Sequence, residues 1–290
     1  MISVAVLSAL IALFSPFWGL IFIINFGYKY QNQKIVFYCV FAGSIIFLMI
    51  FGKFFDIVTL FDILIGVGIS SAYYFRNILK KYDFKRTILI ISFANIGYAI
   101  VRHLVFGKIL LRNLNEVFQQ YAELIKSNFQ ENSEQFFLAL EITEKAKLLM
   151  INYYPAIWAI TIIFAIYLAS IFFSKKAMKK WEHKKVRLPF FLVYILIATL
   201  IFVIFPNTRK IGMNGLLMLT PLFLIQGISL LDFYTGNFFK KHRIFLIFFI
   251  LSVILNYYLI ILLAFTGLLD TWFNFRKIEI SEDLNESNLS

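Results

Sequence analysis

The chain alternates long apolar runs with short polar breaks. Uncharged or nearly uncharged runs cover residues 2–28, 35–52, 55–75 and 87–106, then 150–173, 188–206, 211–234 and 244–266. About 20 apolar residues carry a helix across the hydrocarbon core of a bilayer, so each run has roughly the length of one span. The pattern predicts an all-α, polytopic transmembrane bundle of about eight spans. Pro16 interrupts the first run. It predicts either one kinked span or two short helices folded back at Ser15 and Pro16.

Residues 107–149 break the apolar pattern. Within them Leu110, Leu114, Val117, Tyr121, Leu124 and Ile125 recur at helical spacing, which predicts an amphipathic helix. A second helix is expected from an N-cap at Ser133 to Leu149. The organisation expected is therefore an N-terminal membrane bundle (1–106), a polar amphipathic helical insert between the fourth and fifth spans (107–149), a C-terminal bundle (150–277) and a disordered tail (278–290). The insert reads as a partner-binding module at the membrane face or as a connector lying in the interface.

Composition agrees with the pattern. Of 290 residues, 61% are hydrophobic and 15% charged, against about 25% charged in an ordinary soluble domain. The net charge of +12 does not point to nucleic acid, because no basic folded face is long enough. Lys and Arg gather in short loops, above all "KKAMKKWEHKKVR" (175–187), which is therefore expected on the cytoplasmic side. With residues 2–28 as one span, the insert and the C-terminus face outward, whereas a hairpin there makes the N-terminus cytoplasmic. The location expected is the bacterial cytoplasmic (inner) membrane, with lipids as immediate partners.

Against this background Asp62 stands out, about nine residues or 13 Å along a helix from the flanking Lys53 and fourteen residues from Arg76. A charge at the bilayer centre costs about 2.5–3.5 kcal/mol on insertion scales and marks a functional-site hypothesis by default. Ser70 lies two turns away on the same face. The candidate ligand-binding set is Asp62, Ser70, Asn95, Arg102, Gln226 and Asn256. The alternative for Asp62 is a structural carboxylate paired with Arg102 or a tyrosine hydroxyl, and for Asn95, Gln226 and Asn256 it is hydrogen bonding between helices. Asp270, Trp272 and Arg276 read as an interface anchor, with Arg276 reaching lipid headgroups. The three histidines are scattered, and the lone Cys39 excludes a disulfide within the chain. No metal spacing, phosphate loop or nucleophile motif is present. No cofactor and no enzymatic activity are expected.

The tail "GLLDTWFNFRK" (267–277), with "NGLLMLTPLFLIQGISLLDFY" (214–234) and "WEHKKVRLPFFLVY" (181–194), resembles the YybS-like family of predicted bacterial membrane proteins. That family is distantly similar to the S components of energy-coupling-factor transporters. The similarity implies a solute-binding core, with Ala5 and Ala9 of "AVLSA" (5–9) as the small-residue surface that docks a membrane coupling subunit. Two functions follow. The first is small-solute binding or transport through a core containing Asp62. The second is a non-transporting scaffold that recruits proteins through 107–149 or the basic loops. A water-accessible pocket at Asp62 favours the first. A dry core with Asp62 held by Arg102, and an exposed patterned face on 110–125, favours the second. Oligomeric state is left open.

Overall fold

The structure is a computed structural model that describes residues 2–27, 45, 57–79, 84–130, 133–176, 183–236, 248–249, 252–253 and 255–277. The expected span 35–52 except residue 45, most of 244–255, Cys39, His242 and the tail 278–290 lie outside these residues. All regular structure among the described residues is helical. Four helices there are long and apolar enough to cross a membrane, and shorter apolar helices accompany them.

Two compact units form. The first comprises residues 1–181 and 202–218. It opens with α1 (Ile2–Phe14) and α2 (Pro16–Gly27). The Ser8 hydroxyl donates to the Gly19 carbonyl at 2.9 Å, although eleven residues of straight helix would separate them by about 16 Å. The chain therefore doubles back at Ser15 and Pro16. A Cβ on Gly19 would lie 2.5 Å from that of Ala12, so glycine is what lets the two arms touch. Each arm is too short to cross about 30 Å of hydrocarbon.

Next comes α3 (Ile57–Asp62), which runs through a π-helical segment (Ile63–Ile69) into α4 (Ser70–Leu79). Then α5 (Phe84–Asn128) and α6 (Glu134–Lys176) pack against each other along the chain's longest helices. The helices expected within 107–149 are present, the second starting after Ser133, but they continue the apolar helices. Residues 107–128 and 134–149 are the far ends of the same two helices that carry the apolar runs. At 1.5 Å per residue α5 is about 68 Å long, roughly twice the hydrocarbon thickness. At the tip Ser133 accepts from the Phe136 amide at 3.2 Å.

Pro155 sits inside α6 without ending it. The side-chain amide of Asn214 is inserted into the helix ladder there. It donates to the Asn152 carbonyl at 2.9 Å and accepts from the Ala156 amide at 3.3 Å. The Asn214 side chain is thus spliced across residues 152 and 156, beside the rung that Pro155, having no N–H, cannot make.

The second unit comprises residues 182–201 and 219–290. It contains α7 (Phe191–Ile204) up to residue 201, α8 (Arg209–Tyr234) from residue 219, and α9 (Tyr257–Phe273). Helices α8 and α9 meet at Gly227 and Gly267. A Cβ on Gly227 would lie 1.9 Å from the Leu263 carbonyl oxygen, and one on Gly267 2.0 Å from that of Phe223. Backbone touches backbone there, the packing that small residues permit between membrane helices.

Candidate functional site

Among the described residues, each unit holds a buried Asp–Arg ion pair, and polar residues gather around these pairs. In the first unit Asp62 closes α3, just before the π segment. Ser70 opens α4, and its hydroxyl donates to the Ile65 carbonyl at 3.1 Å. Gly66 lies between them. A Cβ on it would come within 2.8 Å of the Trp158 ring, so the missing side chain makes room for the indole. Across from this segment, Ser92, Asn95, Tyr98 and Arg102 recur at three- and four-residue steps along one face of α5.

The two polar faces engage directly. Arg102 donates through Nε to Asp62 Oδ1 at 2.8 Å and through Nη2 to Oδ2 at 2.7 Å, and the Tyr98 hydroxyl donates to Oδ1 at 2.8 Å. The guanidinium lies 4.9 Å from the Trp158 ring centroid, a cation–π position. The charged side chains are 11% (Asp62) and 12% (Arg102) exposed. Two turns along, Asn95 Nδ2 donates to Ser70 Oγ at 3.0 Å. His103 meets the Tyr154 hydroxyl beside Gly107. Sequence reasoning named Asp62, Ser70, Asn95 and Arg102, and the fold brings all four together. It did not name Tyr98, whose signal was helical register with Arg102, or Trp158, which no spacing in the sequence ties to Gly66.

In the second unit Asp270, Gln226 and Arg276 come together. Arg276 Nη2 donates to Asp270 Oδ2 at 2.6 Å, and both side chains are 0% exposed. The guanidinium also donates to the Lys184 carbonyl at 2.6 Å, the Val186 carbonyl at 2.7 Å and the Ser229 hydroxyl at 2.7 Å. Gln226 donates to Asp270 Oδ2 at 2.7 Å and accepts from the Leu188 amide at 2.7 Å. The route inward is set by Asn274, whose left-handed backbone (φ 49°) ends α9 and turns the chain back on itself. The contact of Gly227 with Gly267 sets Gln226 within reach of Asp270.

Several expectations are corrected here. Arg276 does not reach headgroups, because its guanidinium is consumed by an ion pair, two carbonyls and a hydroxyl inside the unit. Asp270 is buried with it, whereas Trp272 is 53% exposed. Gln226 is committed to protein partners rather than to a solute. Asn256 does not lie inside a helix as a bridge to a neighbour. It caps α9, accepting from the Tyr258 amide at 3.0 Å. Ala5 and Ala9 are 2% and 0% exposed. Both are buried within the chain's own fold, which leaves no surface there for a second protein's helix.

With this geometry in view, the whole chain was compared with known proteins. The family described as "Predicted membrane protein (DUF2232)" matches residues 2–271. The chain belongs to that family. No curated protein and no solved structure matches it. The DUF2232 match covers both ion pairs except Arg276, and it covers the whole α5–α6 pair. Among the described residues of this DUF2232 chain, no group of three or more His, Cys, Asp or Glu could hold a metal ion. A cavity of about 360 Å³ lies between the α1–α2 hairpin and α6, lined by apolar side chains and Asn25. None of the residues that form the Asp62 cluster lines it.

Proposed function

We propose that this chain is a non-transporting membrane scaffold that recruits protein through the ends of α5 and α6, residues 107–149. One observation carries the reading: both oxygens of Asp62 are engaged by Arg102 and Tyr98 in a nearly closed core. A carboxylate so committed offers a solute little. The paired helix ends supply the complementary feature, since Val117, Tyr121 and Leu124 are 45%, 55% and 55% exposed in a stretch too polar for the hydrocarbon. In this reading the protein crosses the bacterial cytoplasmic membrane several times and is YybS-like in kind, its S-component-like core serving as an anchor.

A second reading, solute binding, is favoured by a separate observation. Asn95 Oδ1, Ser92 Oγ and Trp158 Nε1 are buried beside the Asp62 pair without hydrogen-bond partners among the described residues. A small polar guest could satisfy them. Thermal unfolding of the purified protein against a panel of small solutes separates the two. The scaffold reading expects no solute to raise the midpoint. A solute that raises it in the parent chain, and not in Asp62→Asn, would replace the scaffold by a solute-binding protein.

A further inference from the structure

The hydrogen bonds around Arg276 also fix which side chains the segment ahead of α7 turns outward. Four backbone groups of that segment are held. The Lys184 and Val186 carbonyls accept from Arg276, the His183 and Val186 carbonyls accept from Ser229, and the Leu188 amide donates to Gln226. Val186 and Leu188 are buried, at 6% and 3% exposed. The alternation of an extended chain leaves their neighbours outside, Lys185 exposed and Arg187 half-buried. Lys277, also exposed, directly follows Arg276. The ends of α8 and α9 meet here. The Lys184 ammonium donates to the Gly236 carbonyl just past α8, and the Tyr234 hydroxyl donates to the Phe275 carbonyl just past α9. Among the described residues of the second unit, every lysine and arginine lies at this end. The acids there are Asp270, buried against Arg276, and Asp232, paired with His183 at 3.3 Å.

An exposed aromatic row adjoins these cations. Trp272, Phe273 and Phe275 follow one another with ring centroids 6.2 and 5.9 Å apart, and Phe190 meets Trp272 edge-on at 6.5 Å. Exposed aromatic rings at the end of an apolar helix sit at headgroup level in a bilayer, and cations beside them meet the anionic lipids of the leaflet. We infer that Lys185, Arg187 and Lys277 hold the phosphate of an anionic phospholipid whose acyl chains lie against Trp272 and Phe273. Both halves of the patch select this occupant. A free phosphate or an acidic protein surface matches the cations and leaves the aromatic row unmatched. A zwitterionic lipid matches the rings but brings a cation of its own to the lysines. An anionic phospholipid matches both. Arg276 serves the site indirectly, keeping its own charge inside the unit and setting the register that places Lys185 and Arg187 outside. The inference is independent of what the ends of α5 and α6 recruit.

The test is native mass spectrometry of the full chain released from nanodiscs that hold equal amounts of phosphatidylglycerol and phosphatidylcholine. The parent should retain phosphatidylglycerol in preference to phosphatidylcholine. Each cation at an anionic leaflet contributes about fivefold in binding, so Lys185→Gln with Lys277→Gln should lower that preference by about 25-fold, with helicity unchanged. Lys185→Gln alone, expected to lower it about fivefold, decides the matter should the pair lose helicity. Arg112→Gln with Lys145→Gln removes two exposed cations from α5 and α6 and should leave the preference intact. A parent that retains the two lipids equally overturns the inference. So does a preference that survives loss of Lys185 and Lys277, or one that the α5–α6 pair lowers as much. Added inorganic phosphate, at fixed ionic strength, separates the two sources of the phosphate group. Phosphatidylglycerol should stay bound, and its displacement would make this a free-anion site and overturn the lipid.

Discussion

Asp62–Arg102 and Asp270–Arg276 are the same chemical pair in two settings. The first joins two helices through a bidentate contact, adds one tyrosine and an indole, and keeps about a tenth of each side chain accessible. The second joins the end of α9 to its own following turn, and its guanidinium also holds two backbone carbonyls of the 184–186 segment and a serine. The first is a pair that two apolar side chains could replace. The second is a knot whose cation serves more backbone than carboxylate. Buried ion pairs in lipid therefore differ less by their distances than by what else the cation holds.

The largest effect is expected from Arg276→Met. It strands Asp270 and releases two carbonyls, and breaking a buried pair costs about 3–5 kcal/mol. The thermal midpoint in detergent should fall steeply. Adding Asp270→Leu should recover little of it, because Lys184 and Val186 stay unserved. Arg102→Met should cost less, about 2–3 kcal/mol by the same reasoning, since Asp62 retains Tyr98 and no backbone carbonyl is released. Here the double variant Asp62→Leu with Arg102→Met should return close to the parent midpoint. Equal recovery in the two double variants would erase the distinction between pair and knot. Gly66→Ala, pressing a methyl onto Trp158, should cost about 1–3 kcal/mol and loosen only the first cluster, seen as a changed Trp158 fluorescence. Smallest of all is Lys145→Ala. Its ammonium holds the Glu141 carboxyl below its ordinary range, but the pair is exposed, and the midpoint should not move measurably.

The sequence made Asp62 visible because a carboxylate in an apolar run has no neutral explanation, and it named Arg102 as a partner. Pro16 announced a fold-back as one of two alternatives. Other features had no such signal. The polarity change near residue 107 looks like a boundary, and Gly107 stands at it, yet that glycine is buried against Tyr154 and α5 continues to Asn128. Polarity reports solvent, not secondary structure. Arg276 beside Trp272 and Phe273 matches the composition of a membrane-surface anchor. Only the left-handed turn at Asn274 reveals that it points inward, and an asparagine alone does not declare that conformation. Asn214 was equally silent, since its role depends on a proline 59 residues earlier in the chain.

That splice has a consequence for biosynthesis. Membrane proteins are made from the N-terminus, so α6 leaves the ribosome well before Asn214 exists. During that interval the Asn152 carbonyl and the Ala156 amide lack their Asn214 contacts, and α6, one rung short at Pro155, is free to bend there. The bend is arrested only when α8 arrives with its asparagine. Maturation of the first unit therefore waits on a residue translated after most of that unit is already in place, and Asn214→Leu should yield a nascent chain that inserts normally but stays sensitive to membrane proteases.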